Sequence, residues 1–134
     1  MYEPIRTKSV HAVADDARYP HRSREEELDI QLAGHLSALL AVTDELGLDE
    51  AAEQIAGQVA RLRGAPPARH AGHSGADPAA LHHRAHALAG RALVVAASRA
   101  DTAAAILSAE RMDAHTAALA ELRLVDAIGA VGAH

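Results

Sequence analysis

Histidine is the residue type in this chain whose number and spacing could do chemistry. The 134 residues include ten histidines, and five of them lie between positions 70 and 86. His82 and His86 are four residues apart, so on a helix they share one face and two imidazoles can bind one cation. This spacing indicates a possible site for Zn²⁺, Ni²⁺ or iron, and no other cofactor is predicted.

A complete metal site needs one or two further ligands from other elements. His35 lies within an apolar stripe and is the best candidate, so the predicted ligands are His35, His82 and His86. The residues that could supplement this set are Glu110, Asp113 and His115. A histidine in an apolar stripe is more often a neutral, hydrogen-bonded core residue or an interface residue, and this alternative stays open. The chain contains neither H-E-x-x-H nor Glu-x-x-His.

One of these histidines also opens a short motif. The segment His86-Ala87-Leu88-Ala89-Gly90-Arg91-Ala92 resembles the active-site helix of histidine phosphotransfer domains, whose pattern is His-x-Leu-Lys-Gly-x-Ala or Ser on a four-helix bundle. The resemblance implies that His86 is a phosphoacceptor and that Gly90 leaves a gap for a receiver domain. Ala89 stands where that family has the lysine that neutralises the phosphoryl group.

Other patterns predict no enzyme class. The loop Gly72-His73-Ser74-Gly75 is neither a nucleophile elbow nor a phosphate-binding loop. Glu110 and Asp113 could form an acid pair, but carboxylates three residues apart on an exposed helix face are common. We predict no catalytic residue and favour a non-enzymatic protein.

Composition limits the core and the classes of partner. More than half of the apolar residues are alanine, which favours helices but buries little apolar area, so we expect a thin core and a homodimer. Phe and Trp are absent and the net charge is −5, which together oppose nucleic-acid binding. Charged residues in the first ten positions and the lack of a long apolar run predict a cytoplasmic protein without a membrane span.

The elements that must position the histidines are helices. Residues 1–22 have no helical period and predict an extended or partly disordered N-terminal arm. Ser23 and Glu26 form a capping box that opens the first helix, and Gly47 ends it. The apolar stripe of this helix consists of Leu28, Leu32, His35, Leu39, Val42 and Leu46.

Three further helices follow. The second runs from about Asp49 to Arg63, and residues 64–76 have the composition of a mobile linker. Asp77 and Pro78 open the third helix, whose apolar face includes Leu93 and Val94. Asp101 is a predicted N-cap for the last helix, whose stripe consists of Leu107, Ala114, Ala118, Leu122 and Val125. The alternative is one continuous helix through Ala100.

These patterns predict an all-α fold: an antiparallel four-helix bundle over residues 23–134, made of two helical hairpins, with an N-terminal arm over 1–22. Residues 1–24 carry a net charge of +2 and residues 25–63 a net charge of −7, so the arm could lie on an acidic hairpin. For function we favour a protein-interaction or regulatory module acting as a homo-oligomer, and a metal protein is the alternative.

Overall fold

The chain forms four helices. The computed structural model describes residues 2–72 and 75–132, with side chains from residue 23 onward. The helices are α1 (Tyr2–Glu45), α2 (Asp49–Arg63), α3 (Pro78–Arg99) and α4 (Thr102–Gly132), and the described ranges contain no strand. The predicted all-α class is therefore confirmed. Among the described residues, no helix combines the length and apolar character needed to cross a bilayer.

The first helix differs from the prediction at its N-terminal end. Helix α1 is assigned from Tyr2, where we expected extended or partly disordered backbone, and it continues through Ser23. Ser23 therefore lies inside a helix and is not an N-cap. A Ser-x-x-Glu pattern is also compatible with a helix interior, where serine costs little. The side chains of residues 1–22 lie outside the described part, so an arm in contact with the acidic hairpin stays a prediction.

The helix ends follow the local signals more closely. Gly47 and Gly64 have φ values of 72° and 74°, and each follows the end of a helix as predicted. The N–H of Leu48 donates to the Thr43 carbonyl, and the N–H of Gly47 donates to the Asp44 carbonyl, which satisfies the last carbonyls of α1. At the start of α3, the Asp77 carboxylate accepts a hydrogen bond from the Ala80 N–H.

Helices α3 and α4 are separate, so the continuous-helix alternative is wrong. Ala100 adopts a left-handed φ of 59°, and the Asp101 N–H donates to the Ala96 carbonyl at 2.8 Å. Asp101 then caps α4, because its carboxylate accepts a hydrogen bond from the Ala104 N–H at 3.2 Å. Arg61 of α2 forms a salt bridge with the same carboxylate, with 2.8 Å between its Nη2 and the Asp101 Oδ2.

The core lies where α1 packs on α2 and α3, and α3 packs on α4. Helix α1 contributes large side chains and α3 contributes mainly small ones, which lets the helices approach closely. The buried leucines of α1 are Leu32, Leu36, Leu39 and Leu40, and the buried alanines of α3 are Ala85, Ala89, Ala92 and Ala96.

Three stripe assignments are wrong in detail. Leu36 rather than His35 occupies the fully buried position of α1, and His35 is half-buried at the edge of that face. Val94 of α3 and Val125 of α4 are 66% and 58% exposed. Val94 lies on the side of α3 opposite the buried Ala89 and Ala92, as the rotation of about 100° per residue requires, and Val125 lies beyond Leu119, the last buried residue of α4.

The linker between α2 and α3 is anchored. Arg69 donates to both carboxylate oxygens of Asp44, at 2.8 and 3.1 Å, and to Glu53 at 2.8 Å. The backbone N–H of His70 donates to the same Asp44 carboxylate at 3.0 Å. The nearly buried Asp44 carboxylate needs hydrogen-bond donors, and Arg69 and His70 of the linker supply them. The mobility expected from the linker composition is thus restricted at Arg69 and His70.

Candidate functional site

Two histidine side chains meet between α3 and α4. His82 lies in the second turn of α3 and His115 in the middle of α4, and their Nδ1 atoms are 2.9 Å apart although the residues are 33 positions apart in sequence. The ring centroids are 5.1 Å apart and the ring planes are inclined at 51°. The caps at Asp77 and Asp101 fix where the two helices begin.

The short contact between the rings is a hydrogen bond between neutral imidazoles. One Nδ1 must carry the hydrogen and the other must accept it. His115 is fully buried and its Nε2 has no hydrogen-bond partner, whereas His82 is only half-buried. Since a buried N–H without an acceptor is the rarer defect, we assign His115 as the Nδ1 donor, which leaves an unpaired lone pair on its Nε2.

Burial and nearby positive charge keep this pair neutral. Burial, together with the nearby charges of Arg111, His82 and His86, lowers the pKa of His115 to about 4. Burial also lowers the pKa of His82, with added effects of Arg111 and His83. Both imidazoles therefore present nitrogen lone pairs at neutral pH.

Arg111 is the charged neighbour of the pair. Its Nε is buried without a hydrogen-bond partner, and burial lowers the pKa of its guanidinium, against an opposing effect of Glu110. Arg111 also lines a surface cavity of about 340 Å³ together with residues of the first turns of α2, among them Asp49 and Glu50. Its side chain thus lies between a neutral histidine pair and an acidic cavity.

The predicted metal ligands are only partly brought together. The structure joins His82 to His115, which the sequence indicated only as a supplement, and His86 is close enough for its charge to act on His115. His35 is half-buried on α1, and Glu110 and Asp113 are exposed on α4. The described residues contain no group of three His, Asp or Glu side chains already placed to hold a metal, so the set His35, His82 and His86 stays a prediction.

The phosphotransfer resemblance requires open space at Gly90, which is half-buried on α3. A Cβ at Gly90 would lie 3.6 Å from the Cε of Met112 of α4. His86 itself is half-buried. Met112 of α4 thus lies beside Gly90, and the phosphoacceptor role of His86 stays a prediction.

Sequence reasoning gave too little weight to His115. Its position four residues before Leu119 and seven after Ser108 places it on the buried face of α4, together with Ala104. The predicted stripe passes through Ala114 and Ala118 instead, and an apolar pattern does not mark positions 108 and 115 because they hold polar residues. Like His115 Nε2, the Ser108 hydroxyl is buried without a partner.

A comparison with known protein families, curated proteins and solved structures finds no match to this chain.

Proposed function

We propose that this protein is a non-enzymatic, cytoplasmic interaction module that acts as a homodimer through the projecting end of α4. The observation that carries the proposal is an exposed apolar stripe on that helix. Leu124, Ile128 and Val131 are 60%, 63% and 74% exposed, and their spacing of four and three residues places them on one face.

An antiparallel bundle of two hairpins accounts for why this end projects. Arg99, at the end of α3, contacts Asp29 of α1, and Gly72, which precedes α3, lies against the Asp44 carbonyl near the other end of α1. These contacts support an antiparallel arrangement of α1 and α3. In such a bundle α4 runs back along α3. Leu119, the last buried residue of α4, lies near the N-terminal turns of α3, and the rest of α4 extends beyond the start of α3.

The end of α4 is apolar on more than one face. Leu122 and Val125 continue the face that points into the bundle, and the stripe of Leu124, Ile128 and Val131 lies on the opposite side. A helix that is apolar nearly all round is normally buried among partners. The same residues do not contribute to the core of the chain itself.

A second copy of the chain is the partner that fits this surface. The charged residues between positions 120 and 132 are Glu121, Arg123 and Asp126, which give a net charge of −1. Two identical segments therefore repel each other little. In an antiparallel pair about a two-fold axis near Ile128, Leu124 of one copy lies against Val131 of the other, and both stripes are buried at once. Full burial of each such side chain contributes about 1.5–3 kcal/mol relative to exposure.

The subunit mass in solution tests the proposal. Size-exclusion chromatography with light scattering should give twice the chain mass for the native protein and the chain mass for Ile128→Glu, because the new charge cannot be buried between two apolar stripes. Ala87→Glu adds the same charge at an exposed position of α3 and should leave the dimer intact. A monomeric native protein, or a dimer that persists in Ile128→Glu, would overturn the assignment.

A further inference from the structure

We propose that His82, His115 and His86 form a binding site for a borderline divalent transition-metal ion, represented by Zn²⁺, between α3 and α4. The proposal is independent of the dimer surface, because its residues lie N-terminal to the projecting end of α4. It replaces His35 with His115 in the ligand set that the sequence suggested.

The spacing of the two buried nitrogens fits a metal ion. Zn–N bonds of about 2.0–2.1 Å at angles between roughly 90° and 110° separate two ligand nitrogens by about 2.9–3.4 Å. The Nδ1 atoms of His82 and His115 are 2.9 Å apart before any metal is bound. The two helices therefore need little movement to hold an ion between these atoms.

Metal binding requires a change of tautomer in this pair, which places the ring proton of His115 on the buried Nε2, where the described part of the metal-free chain offers no acceptor. In the hydrogen-bonded state His115 carries its ring proton on Nδ1, and the metal-bound state carries it on Nε2, so no proton leaves the site.

His86 is the residue placed to complete the site. It lies one turn beyond His82 on the same face of α3, is half-buried, and acts electrostatically on His115. A rotation of its side chain would add a third imidazole. Three nitrogen ligands and a water molecule form a site typical of Zn²⁺, whereas hard cations prefer oxygen.

Arg111 opposes the ion and so provides a sharp test. Arg111 lies one turn before His115 on α4, and its positive charge must weaken the binding of a cation there. The side chain can move toward Asp49 and Glu50, with which it shares a cavity. If the site is correct, neutralising Arg111 tightens metal binding, an effect that a nonspecific surface histidine would not show.

The experiment is a metal titration of the untagged full chain after treatment with a chelator. Co²⁺ is added at pH 7.5 while its visible absorption is recorded, and Zn²⁺ is then used in competition. We expect one ion per chain with tetrahedral Co²⁺ bands, at least tenfold weaker binding in His82→Ala and His86→Ala, and tighter binding in Arg111→Gln. The matched controls His83→Ala and His70→Ala change exposed histidines and should bind like the native chain.

Each contrary result has a definite meaning. Unchanged binding in His82→Ala, or equal loss in the His83→Ala and His70→Ala controls, would overturn the site and assign the metal to surface histidines. The half-buried residues His82 and His86 carry the test, because a change at fully buried His115 could unfold the protein. Circular dichroism of the metal-free variants verifies that each one is folded.

Discussion

At the residue scale, the contact between His82 and His115 depends on both local and distant information. The pairing of His82 with His86 could be predicted, because a spacing of four residues on one helix needs only helix geometry. The partner His115 lies 33 residues away on another helix. Its contact depends on how α4 docks against α3, and alanine-rich faces allow several such registers with similar apolar burial.

The ion pair between Arg69 and Asp44 could not be predicted for the same reason. The two residues are 25 positions apart, and Arg69 lies in a segment rich in proline, glycine and alanine that has no periodicity. Asp44 is only 7% exposed, and the hydrogen bond from Arg69 holds its pKa below the usual 3.8, although burial acts in the opposite direction. The linker is therefore attached through a charge that burial would otherwise disfavour.

We expect Arg69→Ala to destabilise the protein by about 1–3 kcal/mol, because it leaves a nearly buried carboxylate without its main donor. The measurement is urea unfolding at pH 7, with Arg84→Ala, at an exposed position of α3, as the control. Limited proteolysis should also cut the linker faster in Arg69→Ala. Equal stability of the two variants would show that the ion pair does not hold the linker.

The same pair sets a pH dependence. Because the pKa of Asp44 is lower in the folded chain than its unfolded value of 3.8, the stabilisation is complete above pH 3.8 and is lost as the pH falls through the folded value. The difference in unfolding free energy between native protein and Arg69→Ala should therefore shrink as the pH is lowered below 3.8.

At the scale of elements, helix ends were more predictable than helix faces. Gly47, Gly64 and Asp77 act through their own backbone or side chain, so their effect does not depend on the rest of the fold. Ser23 shows the limit of this reasoning, since a capping pattern indicates where a helix can begin but does not exclude a helix that began earlier. The exposure of Val125, in contrast, depends on where the helices beside α4 end.

Ala100 is an alanine at a position whose left-handed backbone conformation favours glycine. Its φ of 59° places a non-glycine residue in the left-handed region at the end of α3, which costs roughly 1–2 kcal/mol for an alanine. Ala100→Gly should raise the unfolding free energy by about 0.5–1 kcal/mol, because the relief of strain exceeds the added entropy of the unfolded chain. Thermal and urea unfolding at pH 7 measure this change.

The control for Ala100→Gly is Ala87→Gly, at an exposed position in the interior of α3. There glycine should lower the unfolding free energy by about 1 kcal/mol, because the helical backbone needs no left-handed residue. The opposite signs of the two substitutions are the result that identifies the strain. A loss of stability in both variants would mean that Ala100 is not left-handed in solution.

At the scale of the whole molecule, the alanine-rich composition predicts how large the core is but not which apolar residues stay outside it. The low apolar volume of the chain predicted a thin core, and six of the fifteen residues of the core cluster are alanines. Composition could not locate the apolar surface that stays outside the core. Leu124, Ile128 and Val131 belong to that surface because they lie on the side of α4 opposite its buried residues, and this side can be identified only once the buried residues are known.

The end of α4 should be needed for assembly but not for folding. Residues 121–132 are exposed apart from half-buried Leu122, so a chain that ends at Ala120 keeps every residue of the core cluster. We expect this shortened chain to be a helical monomer with a thermal midpoint within a few degrees of monomeric Ile128→Glu. The native dimer, in contrast, should melt at a temperature that rises with protein concentration, because dissociation is coupled to unfolding. Loss of helical structure in the shortened chain would show instead that the projecting segment folds back as part of the bundle, and the exposed stripe would then not be a dimer surface.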